Sequence, residues 1–112
     1  MRIGILSDVH ANWPALRAVL NTLERRGVDR VLVAGDIVGY GGQPNECVTA
    51  LRRVGAQCVA GNHDLYLLGR LPDTRLSQLA RASLEVHRAL LTPDVHDFLS
   101  SLPLRLQVGD VV

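Results

Sequence analysis

Asp8-Val9-His10, Gly35-Asp36 and Gly61-Asn62-His63-Asp64 are polar clusters set among apolar stretches, and their side chains are of the kinds that bind divalent metals through mixed oxygen and nitrogen donors. Asp8 and His10 could hold one ion together, because alternate residues of an extended turn can point toward one centre. Asp36 has two carboxylate oxygens and could bridge that ion to a second, to which Asn62 offers a neutral carbonyl oxygen. Such a set suits Mn, Fe, Zn or Ni better than a cysteine-selecting metal or the all-oxygen shell preferred by Ca. Two ions about 3.5–4 Å apart would activate a water at neutral pH and clamp the oxygens of an in-line phosphoryl displacement. His63, next to a ligand, could then protonate the leaving oxygen or stabilise charge on the phosphoryl group.

These residues are far apart in the chain, so a fold must bring them together. Arg2 to Ser7 is a short apolar run that predicts a strand, and Arg30 to Ala34 and Ala56 to Ala60 repeat it. Between the first two runs, Leu16, Val19, Leu20 and Leu23 fall at helical spacing, with Pro14 in the first turn and Gly27 past the end. A second helix is predicted from Pro44, with Cys47, Val48, Leu51 and Val54 on one face and Gly55 as its stop. Strand, helix, strand, helix, strand with tight links predicts an α/β fold of βαβ units with parallel strands. In such a sheet the carboxyl ends of adjacent strands face one crevice, and each of the three clusters directly follows a strand.

After the third strand the rhythm changes. A helix is predicted from about Asp73 to Leu91, with Leu76, Leu79, Ala80, Ser83, His87 and Leu90 near one face. A shorter one follows the Thr92-Pro93 cap, with Val95, Phe98, Leu99 and Leu102 as its stripe. Leu104 to Val108 alternates as a terminal strand would, and Gly109-Asp110 has turn chemistry. With only Val111 and Val112 beyond, this predicts a hairpin cut short, and a single domain over residues 1–112 that is truncated at its C-terminus.

The three motifs, in this order and spacing, resemble the first three of the calcineurin-like metallophosphoesterases. The similarity is greatest to the small bacterial phosphodiesterases of that superfamily, through SDVHANWPAL, AGDIVGYGGQPNECV and GNHD. The resemblance implies the βαβαβ half of a metallophosphoesterase sandwich, with the second half absent. Carried over by position, it implies Asp8 and His10 on the first metal, Asp36 bridging, Asn62 on the second metal and His63 as the catalytic histidine. Relatives add histidines from later motifs, including a Gly-His-x-His stretch that this sequence lacks. Ala11 stands where these relatives usually have glycine, and a local backbone adjustment with no lost ligand is expected there.

Two functions follow as expectations. One is metal-dependent phosphoester hydrolysis, as a phosphodiesterase or phosphatase using a two-metal-activated water. The other is a truncated, non-catalytic metal-binding or interaction remnant of such an enzyme. An exposed strand edge left by the cut could recruit a second copy or another chain.

The remaining signals are plainer. A formal net charge of +1 provides no bulk field for nucleic acid or an anionic membrane. No apolar run approaches the roughly 18 residues of a bilayer span, and no leader pattern is present, so a cytoplasmic location is expected. Cys47 and Cys58 match no zinc or redox spacing and read as buried thiols. His87 and His96 read as core or surface residues, Trp13 as packing, and Gly39-Tyr40-Gly41-Gly42 as a flexible loop at the site mouth. The arginines at 17, 25, 26, 52 and 53 read as solvated helix faces.

Overall fold

A computed structural model of the chain describes residues 1–110. Strand β1 (Ile3–Leu6), helix α1 (Trp13–Arg25), strand β2 (Arg30–Val33), helix α2 (Pro44–Arg53) and strand β3 (Gln57–Cys58) alternate, and the strands form one parallel sheet in the order β1-β2-β3. The register pairs Gly4 with Val31 and Leu6 with Val33, and Val33 in turn with Cys58. Because side chains alternate across a sheet, these residues share the face covered by the helices. Gly4 shows how closely: a Cβ there would lie 2.9 Å from the Leu23 side chain of α1.

Helix α1 begins with Asn12 accepting from the Ala15 amide at 3.2 Å and with Pro14 in its first turn. Helix α2 buries Cys47, Val48 and Leu51. These meet Leu84, Val95 and Leu99 from helices α4 (Gln78–Leu90) and α5 (Pro93–Ser100), and Val33 and Cys58 from the sheet, in one core. Both thiols are buried and free, and burial pushes each pKa up to about 12, so they stay protonated and inert. On the opposite sheet face Ile5 is 71% exposed.

Several boundaries differ from the sequence reading. The GNHD segment runs into a helix: Gly61 caps helix α3 (Asn62–Leu67), which follows the third strand after a short link through Val59 and Ala60. That strand is only two residues long. The helix expected from Asp73 is a 3-10 turn (Asp73–Arg75) followed by α4, whose Ser77 hydroxyl caps the Ala80 amide at 3.1 Å. Its buried stripe is Ala80, Leu84 and His87, while Leu79 and Leu90 face solvent.

Among the described residues Leu104 to Val108 is not a regular strand, and of that segment only Val108 makes an isolated bridge. Leu104 is 73% exposed, whereas Leu106 and Val108 are partly buried. The preceding Pro103 carbonyl does accept from the Ala60 amide at 2.9 Å, so the chain returns beside the end of β3. The hairpin expected through Val111 and Val112 lies outside the described residues.

Candidate metal centre

The loops after β1 and β2 are bonded to each other as if the sheet continued in irregular form. The Asp8, His10 and Ala11 amides donate to the Gly35, Asp36 and Ile37 carbonyls at 3.2, 2.9 and 2.8 Å. Asp8, His10, Ala11, Asp36 and Tyr40 all adopt positive φ, between 47° and 70°, and all five lie in these two loops. Each left-handed L-residue costs about 1–2 kcal/mol. Strain gathered in two loops that end adjacent strands marks a place where backbone comfort gives way to side-chain placement. Ala11 belongs to this set: its φ of 56° is the conformation that favours glycine, and the backbone accommodates alanine there with the residue fully buried.

The placement is specific. One donor atom from each of Asp8, His10 and Asp36 lies within 4.8 Å of the other two. His10 Nδ1 lies 3.0 Å from the Val38 carbonyl, to which it donates, and Nε2 faces Asp8 Oδ1 at 3.4 Å. A histidine whose far nitrogen donates to a backbone carbonyl is oriented as metal-binding histidines are. Two carboxylates and one imidazole, with Asp8 open to solvent, fit a divalent transition metal. Asn62 is the first residue of α3 and is exposed. Its neighbour His63 donates its backbone amide to Asp36 Oδ1 at 3.0 Å, which ties the third cluster to the second.

Gly61 makes this approach feasible. A Cβ there would sit 2.3 Å from both the amide nitrogen and Oδ1 of Asp36, so a larger residue would displace a candidate ligand.

His63 is nearly buried, with its ring centroid 4.8 Å from that of His10 and 5.2 Å from that of Tyr40. Its Nδ1 is buried without a hydrogen-bond partner among the described residues, which is costly unless a ligand or solvent engages it.

Two residues that hold this arrangement were given no part in the site by the sequence reading, in which His87 reads as a core or surface residue. Asp64 is fully buried, and its Oδ1 accepts from the Ile37 and Val38 amides at 2.9 and 3.1 Å while Oδ2 accepts from Gly61 at 2.9 Å. One carboxylate thus joins the Asp36 loop to the start of α3. Burial pushes its pKa up, against the three amide bonds that lower it. The signal was an aspartate three residues after a glycine at a helix start, the position from which a carboxylate reaches back to the capping amide.

His87 is the second. It accepts from the Gly39 amide through Nδ1 at 3.0 Å and donates from Nε2 to the Gly41 carbonyl, and burial lowers its pKa. The glycine run expected to be flexible is therefore braced from α4. His96 is exposed and bonds to Ser100, and Trp13 is partly buried against the core. A cleft of about 680 Å³ between α1 and α2 lies near the other end of the sheet and holds none of the three clusters.

Comparison with known proteins identifies the family of the chain. A family described as calcineurin-like phosphoesterase matches residues 1–110. A metallophosphoesterase from Sphaerobacter thermophilus superposes with a TM-score of 0.80 at 43% identity, covering 98% of this chain and 44% of that one. An uncharacterized protein of Methanocaldococcus jannaschii is 37% identical over 94% of this chain and 43% of its own length. A symmetrical bis(5′-nucleosyl)-tetraphosphatase of Psychromonas ingrahamii is 36% identical over 61% of this chain and 26% of its own length. The chain spans less than half the length of each of these three proteins.

Proposed function

Since the chain belongs to the calcineurin-like phosphoesterase family, we propose that it carries the first part of a metal-dependent phosphoester-hydrolysing centre. The observation that supports this most is the convergence of Asp8, His10 and Asp36 within 4.8 Å at the carboxyl edge of the sheet. Asp8, His10 and Asp36 would hold one ion, and Asp36 with Asn62 would contribute to a second. Bound divalent metal would supply Lewis acidity and lower the pKa of a coordinated water.

The chain's own residues do the rest. The His63 amide orients the Asp36 carboxylate, and Asp64 keeps the start of α3 against the Asp36 loop. The His63 ring, whose centroid lies 4.8 Å from that of His10, would hand a proton to the leaving oxygen of the phosphoester.

The donor set is uneven. Three side chains of this chain would hold one ion, as in catalytic zinc sites, whereas only two would be offered to a second. That imbalance favours a second reading, in which the chain binds one ion and does not turn over substrate. Hydrolysis of bis(p-nitrophenyl) phosphate with Mn separates the two. Turnover lost in Asp36→Asn and in His63→Ala supports the enzyme; metal binding without turnover supports the remnant.

The exposed Ile5 and the outer edge of β1, unpaired among the described residues, support self-association as a further proposal. Sedimentation across a concentration series would test it.

A further inference from the structure

Tyr40 is held more firmly than its exposure would suggest. It is 49% exposed, yet its φ is 70°, a conformation uncommon for a large aromatic side chain. Bonds on both sides keep it there. The Gly39 amide donates to His87 Nδ1 and the Tyr40 amide to Ser83 Oγ, each at 3.0 Å. Gly41 donates to the His10 carbonyl at 2.8 Å and accepts from His87 Nε2. Two side chains of α4 and the loop after β1 thus clamp three consecutive residues.

What the clamp fixes is one ring. The Tyr40 centroid stands 5.1 Å from that of His10, nearly perpendicular at 78°, and 5.2 Å from that of His63 at 43°. Tyr66 lies on His63 as well, with 6.3 Å between centroids. The bonds fix the backbone and leave about half of the Tyr40 surface in solvent, next to the His10 and His63 rings.

We infer that Tyr40 is a substrate-binding platform that stacks on a flat heteroaromatic group, such as a nucleobase, carried by the phosphoester. The inference rests on the proposed phosphoester chemistry and names its substrate class. A ring about 5 Å from the His63 ring is one group removed from the phosphoryl centre, which is where the nucleoside of a nucleotide would lie. Aromatic stacking tolerates any base, since every base has a π-face, so the platform selects nucleotides over sugar phosphates without selecting among bases.

Calorimetric titration of the chain, with Mn present, compares adenosine 5′-monophosphate with ribose 5-phosphate, which carry the same phosphate and differ in the base. The nucleotide is expected to bind on the order of tenfold more tightly or better, the range of a single base–aromatic stack. Tyr40→Leu should bring the nucleotide down to the level of the sugar phosphate and leave the sugar phosphate unchanged. Tyr40→Phe should keep the preference. Equal affinity of both ligands for the unaltered chain, or an equal loss of both in Tyr40→Leu, overturns the platform and leaves the phosphoester reading standing. Binding of neither phosphate removes both.

Discussion

The loops at the carboxyl edge of the sheet and the layer formed by α2, α4 and α5 are built on opposite terms. In the helical layer, Leu51, Leu84, Val95 and Leu99 are almost wholly buried and sit on regular helices. At the loop edge, five non-glycine residues hold left-handed backbone, Asp64 and His87 are buried polar groups, and His63 Nδ1 has no partner among the described residues. Apolar burial supplies the stability and the loops use it to hold strained polar geometry. The two regions meet through Val9, Ile37 and Val38, which belong to the same apolar core, and through the hydrogen bonds of His87 and Ser83 from α4, while Asp64 ties the Asp36 loop to α3.

If that division is right, a cavity in the helical layer should do the most damage. Leu51→Ala is expected to lower stability by about 2–5 kcal/mol and to take metal binding down with the fold, as a denaturant melt would show. A loss well under 1 kcal/mol would mean that α2 is not the main support.

Asp64→Asn attacks the joint. An amide can still accept on one side, but its NH2 would face the Gly61 amide, so a buried donor is left unpaired at a cost of about 1–3 kcal/mol. Because Asp64 fixes the loop that carries Asp36, Mn affinity should fall by about 10–100-fold in a chain that remains folded. Unchanged affinity would detach the buried carboxylate from the site.

The pH dependence probes the α4 contact more gently. Burial lowers the His87 pKa below its ordinary 6.5, so the unfolded chain takes up the proton first as pH falls. Stability from this group is full above pH 6.5 and declines as the pH falls from there toward the depressed folded value. Melting temperatures between pH 8 and 5 should show that decline, and His87→Gln should flatten it.

The smallest effect is expected on the outer surface of the helical layer. Arg52 lies over the Phe98 ring at 5.6 Å and 3.8 Å from Asp94, both partly exposed contacts. Arg52→Ala should leave the melting temperature within experimental scatter, as exposed ion pairs contribute little.

Sequence reading reached different depths in the two regions. The βαβαβ order, the buried Cys47, Val48 and Leu51, and the meeting of Asp8, His10 and Asp36 follow from periodicity and from clusters placed directly after strands. Helical spacing was less informative for α4, where Leu79 satisfies the period but faces solvent, because which stripe turns inward depends on what α4 packs against. Leu104 to Val108 failed for a related reason, since alternation needs a neighbouring strand. The clamp on Tyr40 was not legible at all. It joins Gly39 to His87 and Tyr40 to Ser83 across more than forty residues, and local pattern says nothing about such pairs.

The central claim is that two loops assemble an ion site from Asp8, His10 and Asp36, and metal content tests it most directly. The chain, loaded with Mn and freed of excess, is weighed by native mass spectrometry beside Asp36→Asn, with thermal melts of both. At least one retained ion per chain and a raised melting temperature, both lost in Asp36→Asn, is the predicted result. A folded chain that retains no Mn, or an Asp36→Asn variant that retains as much as the unaltered chain, would contradict it.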